Sequence, residues 1–92
     1  MGPKAVAKHV VYRGRVQGVG FRYTASQAAQ EFAVTGYVRN LPSGEVELAA
    51  EGEESVVDAF LDQVASRMAD YITNVDTKPV SLTGYREFQI RY

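Results

Sequence analysis

Gly14-Arg15-Val16-Gln17-Gly18-Val19-Gly20-Phe21-Arg22 joins an extended apolar run to a helical pattern. Three glycines fall within its first seven positions. Glycine has no Cβ to forbid positive φ, so such a stretch can turn tightly and aim successive N–H groups at one point. A helix beginning directly after it adds unpaired N–H groups and the positive end of its dipole. Arg22 adds a permanent, forked cation. These parts suit a small oxyanion such as phosphate. A bare strand-to-helix connector would also use glycines here, and the residues alone leave both readings open. The loop is not a Walker loop, because no Gly-Lys-Ser/Thr follows. It also lacks the third glycine of the dinucleotide pattern, since Phe21-Arg22-Tyr23 follows Gly20.

Working outward, residues 5–13 are rich in β-branched and aromatic side chains and predict a strand. Beyond the loop, Phe21, Ala25, Ala28, Ala29 and Phe32 recur at helical spacing. They predict an amphipathic helix with a small-residue face, ending near 34–36. Residues 36–40 form a short strand, and Leu41-Pro42-Ser43-Gly44 suits a type I turn. Residues 45–51 alternate, with Val46, Leu48 and Ala50 on one face and Glu45, Glu47 and Glu51 on the other, the latter expected to be solvated. A second helix covers about 54–68, with Val57, Phe60, Leu61, Val64 and Met68 on its apolar stripe. Glu53 and Glu54 lie near its favourable end. Residues 72–77 make a weaker strand and 86–92 a better one, with Phe88, Ile90 and Tyr92 on a common face. The order β-α-β-β-α-β, with an extra strand piece allowed near the end, predicts an α+β ferredoxin-like sandwich: two helices on one face of an antiparallel sheet.

Ninety-two residues suit one domain spanning 1–92, with residues 1–4 expected to be a flexible N-terminus. The chain is 46% hydrophobic and 23% charged, enough for one core. A formal net charge of −1 argues against a general polyanion binder, so any phosphate affinity must be local to the loop. Cysteine is absent, which excludes disulfides, thiolate catalysis and cysteine-ligated metals. Met1-Gly2-Pro3-Lys4 leads into a strand without a signal-type apolar segment. Val6 stands where a myristoylation start wants Ser or Thr, and no stretch approaches membrane-spanning length. A cytoplasmic monomer is the expectation.

A second cluster changes the weight of the first. Gly36-Tyr37-Val38-Arg39-Asn40, then Gly44, Val46 and Gly52, follows the glycine loop in order, and the chain closes with Phe88, Ile90, Arg91 and Tyr92. Together these resemble the two signatures of the acylphosphatase family, G-x-V-Q-G-V-x-F-R and G-[aromatic]-V-[basic]-N-x-x-x-G-x-V, with a later glycine. The resemblance spans Gly14 to Gly52. Residues 70–81 depart from the family's common Gly/Pro-rich turn and leave the fourth strand's bounds open.

The resemblance implies hydrolysis of carboxyl–phosphate anhydrides to carboxylate and phosphate, without cofactor or metal. Gln17, Gly18, Val19, Gly20, Phe21 and Arg22 would bind the phosphate, and Asn40 would orient the water. Sequence alone leaves open which end of the sheet Asn40 occupies; the resemblance places it facing the loop. An amide has no accessible pKa and cannot be a base, but it can fix a water. A substrate oxygen taking the water's proton is likewise implied by the resemblance. The residue inventory agrees with the substrate. His9, the one histidine, lies inside the first strand, and an ordinary packed or surface role is its expected one. An acyl phosphate expels a carboxylate whose conjugate acid has a pKa of about 4.3, and needs no strong acid.

Other candidates are weaker. Arg13, Arg15 and Arg39 could raise the potential around the loop, and Tyr23, Tyr37 and Tyr85 could line an acyl pocket. Surface charge and core packing are their ordinary roles. A nucleic-acid module of the same strand order would carry exposed aromatics on its third strand. Here that strand is acidic and has none, so no nucleic-acid partner is expected.

Overall fold

The computed structural model describes residues 4–92, so most of the expected flexible N-terminus, residues 1–3, lies outside the described residues. The Lys4 carbonyl accepts a hydrogen bond from the Glu54 N–H at 2.9 Å. The elements are β1 (Ala5–Gly14), α1 (Phe21–Ala29), β2 (Thr35–Asn40), β3 (Val46–Glu53) and α2 (Glu54–Arg67). A 3₁₀ turn (Ala69–Tyr71), β4 (Ile72–Val80) and β5 (Phe88–Arg91) follow.

The sheet order is β4-β1-β3-β2-β5. The first four strands pair antiparallel, as the ferredoxin-like reading requires. β5 then pairs with β2 in parallel, which makes the whole sheet mixed. The parallel pairing has a simple cause. β4 ends at one edge, where Val80 lies opposite Ala7, and β5 begins at the other, where Phe88 lies opposite Gly36. Residues 81–87 therefore cross the full width of the sheet, and a crossover rather than a hairpin delivers a parallel strand.

The helices cover one face. Val46, Leu48 and Ala50 of β3 and Val10 and Tyr12 of β1 are fully or almost fully buried beneath them. Ala25, Ala28 and Ala29 let α1 approach closely. Phe60 of α2 packs edge-on between Phe32 at 6.2 Å and Phe88 at 5.5 Å. Burial pushes the Tyr12 hydroxyl well above the usual phenol range, so it stays neutral. α1 ends at Ala29, earlier than the predicted 34–36. Glu31 and Phe32 bond back three residues, to Ala28 and Ala29, tightening the chain out of the α-helical ladder. Phe32 still reaches the core from that turn.

The opposite face differs from expectation. Glu51 is buried rather than solvated, and it accepts hydrogen bonds from the Thr83 N–H at 2.6 Å and the Gly84 N–H at 2.9 Å. The crossing segment lies on this face and needs an acceptor for its backbone donors, which the carboxylate supplies. Glu47 is also largely covered, held by His9 at 2.8 Å and Arg39 at 2.5 Å. β4 extends three residues beyond the predicted 77, and its outer edge is exposed.

Candidate active site

Gly14 closes β1 at a register shift against β4, with φ 126°. A Cβ there would sit 2.4 Å from the Tyr71 carbonyl, so only glycine fits the approach. Arg15 N–H then donates to that same carbonyl at 2.9 Å, fixing where the loop leaves the sheet. Val16 and Phe21, both buried, anchor the loop at either side; the Phe21 ring packs on Tyr12 with centroids 4.7 Å apart. Gly20, left-handed at φ 78°, caps α1 without a side-chain hydrogen bond, and Thr24 N–H closes the first turn on its carbonyl at 2.9 Å. The first turn of α1 holds no acidic residue. Its unpaired N–H groups and positive dipole end therefore meet no built-in anion.

Gln17 ties this loop to the β2–β3 hairpin. Its side-chain amide donates to the Leu41 carbonyl at 2.7 Å and the Glu45 carbonyl at 2.8 Å. The sheet register brings Asn40 to the same end, since Asn40 and Tyr12 both lie opposite Val46 on the intervening strand. Asn40 thus stands at the loop end, resolving the choice that sequence left open.

The result is a cavity of about 260 Å³. One wall is loop and helix: Gly18, Gly20, Phe21, Arg22 and Tyr23. The other comes from the sheet, with Asn40 from β2 and Ile90 and Tyr92 from the end of the chain. Four of the predicted phosphate-binding residues line it together with Asn40. Gln17 and Val19 do not; Gln17 is engaged with the hairpin and Val19 packs against the core. Ile90 and Tyr92 were not singled out as site residues by the sequence reading. Their signal was present in the closing Phe88-x-Ile90-Arg91-Tyr92 pattern, which placed both on the face of Phe88.

Arg22 is partly buried and has no carboxylate partner among the described residues. Its guanidinium lies 4.8 Å from the Tyr92 ring centroid and makes a long, 3.4 Å hydrogen bond to the Arg91 carbonyl. Both contacts orient the cation without neutralising it. Arg13 and Arg39 are in the opposite condition. Arg13 pairs with Glu45 and Asp76, and Arg39 with Glu47, so neither leaves much positive potential for a ligand. Burial pushes the Glu47 carboxyl up, but hydrogen bonds from His9, Arg39 and Tyr37 outweigh it and hold the group below the usual carboxylate range. His9 serves this cluster and does not line the cavity. Among the described residues no three His, Cys, Asp or Glu side chains converge as a metal site.

The fold is thus a small α+β sandwich whose first strand–helix loop, Arg22 and Asn40 share one cavity. The acylphosphatase family model matches residues 8–90. An acylphosphatase of Archaeoglobus fulgidus is 39% identical over 88 residues, covering 95% of this chain and 99% of the relative. One from Acaryochloris marina is 40% identical over 91 residues, covering 98% of each. The crystal structure of acylphosphatase from Bacillus subtilis superposes with a TM-score of 0.86 at 32% identity, over 95% of this chain and 99% of that one. The chain belongs to the acylphosphatase family.

Proposed function

We propose that this chain hydrolyses acyl phosphates in the cavity between the 14–22 loop and Asn40, with Arg22 and the loop backbone holding the phosphoryl group and Asn40 holding the attacking water. Family membership makes it a hydrolase acting on acyl phosphates. The observation that carries the finer reading is the meeting, in one cavity, of an arginine with no carboxylate partner among the described residues and an asparagine from a separate motif.

The chemistry follows from those two groups. Backbone N–H groups of residues 17–21 and the Arg22 guanidinium bind the phosphoryl oxygens and the charge that builds on them; such preset donors are usually the largest catalytic contribution. Asn40 fixes a water in line with the scissile bond, removing much of the entropic barrier to attack. The water oxygen bonds to phosphorus as the bond from phosphorus to the acyl oxygen breaks. The electron pair leaves with the carboxylate, and a phosphoryl oxygen takes the water's proton. A phosphate monoester would have to expel an alkoxide, and among the described residues no histidine, aspartate or glutamate lines this cavity to act as acid.

The chain is read as one domain over 1–92, a cytoplasmic monomer without a cofactor or nucleic-acid partner, releasing inorganic phosphate. Among the described residues no helix is long and apolar enough to cross a membrane. The test is hydrolysis of an aryl acyl phosphate by the purified protein in EDTA, beside a phosphate monoester. Turnover of the anhydride alone is the expected result; equal turnover of the ester, or none of the anhydride, would overturn the assignment.

A further inference from the structure

We infer that Tyr23 forms the acyl-side wall of this cavity and biases the site towards acyl phosphates whose acyl group is aromatic or branched and apolar. The inference rests on the reading that Arg22 holds the phosphoryl group and Asn40 the water.

The chain has six tyrosines, and their surroundings separate one from the rest. Tyr12 packs on Phe21 at 4.7 Å, and Tyr37 and Tyr85 pack on each other at 5.8 Å. Tyr71 lies under Arg15 at 5.7 Å, and Tyr92 under Arg22 at 4.8 Å. Tyr23 has neither an aromatic nor a cationic partner among the described residues, and it is 66% exposed. A single exposed tyrosine is ordinary on a protein surface and by itself says nothing. What sets Tyr23 apart is that this unused ring lines the cavity next to Arg22.

Displacement at phosphorus places the attacking and leaving oxygens roughly in line. Asn40 belongs to the sheet wall, so a water held there attacks from the sheet side. The acyl group must then depart away from Asn40, past the exposed part of the wall built by the loop and α1. Tyr23, one residue beyond the phosphate-binding arginine, is the aromatic side chain of that wall left uncovered. Phe21, its other aromatic, is buried against Tyr12. The exposed Tyr23 ring offers a flat apolar surface to an acyl group leaving in that direction. Among the described residues no cation on that wall beyond Arg22 is available to favour a charged acyl group.

The test compares kcat/KM for benzoyl phosphate and acetyl phosphate in the unaltered protein, Tyr23→Ala and Tyr23→Phe, with inhibition by inorganic phosphate measured in each. One aromatic contact corresponds to a roughly three- to tenfold preference. The benzoyl-to-acetyl ratio should fall by that factor in Tyr23→Ala and return in Tyr23→Phe, with the phosphate inhibition constant held. An unchanged ratio would overturn the inference, whether both substrates slow equally or neither does. Absence of turnover of either substrate by the unaltered protein would instead overturn the reading on which it rests.

Discussion

Two regions of this sheet both gather charge, and they treat it in opposite ways. On the open face, charges are consumed internally. Glu51 takes two backbone N–H groups of the crossing segment, and Glu47 is shared by His9 and Arg39. At the loop end, Arg22 is oriented by a ring and a carbonyl but is left without a carboxylate among the described residues, beside a helix start that also lacks one. The lesson is that an arginine's worth to a ligand is set by what already neutralises it. Arg39 lies within the second motif and Arg13 directly before the first, yet their paired state makes them parts of the scaffold.

The sharpest way to break this contrast is to remove Arg22. Arg22→Ala should lower kcat/KM by at least the ~10²–10³-fold typical of losing one preset transition-state donor, and should weaken inhibition by phosphate. Arg13→Ala, its paired counterpart, should move the urea midpoint little and change kcat/KM little. Comparable losses of activity from the two would erase the distinction.

A smaller effect is expected on the open face. Glu51→Gln keeps the shape but turns one acceptor oxygen into an NH₂ group facing a backbone donor. It should destabilise the protein by about 1–3 kcal/mol, read from the urea midpoint, while phosphate inhibition stays as it was. An unaltered midpoint would mean that the crossing segment is held by its own packing.

The smallest effect concerns pH. The folded Glu47 carboxyl lies below its ordinary value, so its contribution to stability is present above about 4.3, the unfolded value, and is lost as pH falls through the lower folded one. Stability of the unaltered protein should therefore decline more steeply on acidification than that of Glu47→Gln. Parallel curves would assign acid sensitivity elsewhere.

The same contrast explains what the sequence made legible. Helical spacing from Phe21 to Ala29, alternation through Val46, Leu48 and Ala50, and the Pro42–Gly44 turn are local, and the structure follows them. Glu51 was misread because alternation reports which side of a strand a residue faces, not what else covers that side. Its cover, residues 81–87, comes from some thirty positions away and carries no pattern of its own. The parallel pairing of β5 was hidden for the same reason. At the site, the glycine loop and Arg22 were visible as local chemistry. The end of the sheet occupied by Asn40 depends on the β1–β3–β2 register, which short-range spacing does not encode. Ile90 and Tyr92 reach the cavity only because the crossing segment returns the chain to that edge.

The proposed division of labour within the cavity puts Arg22 on phosphate and Asn40 on water. Asn40→Ala tests it most directly, with acyl phosphate turnover and phosphate inhibition measured on the same preparation. Turnover should be abolished while the phosphate inhibition constant stays within about twofold, because the water is lost and the anion's donors remain. Loss of phosphate binding in parallel with turnover, or turnover that survives, would contradict it.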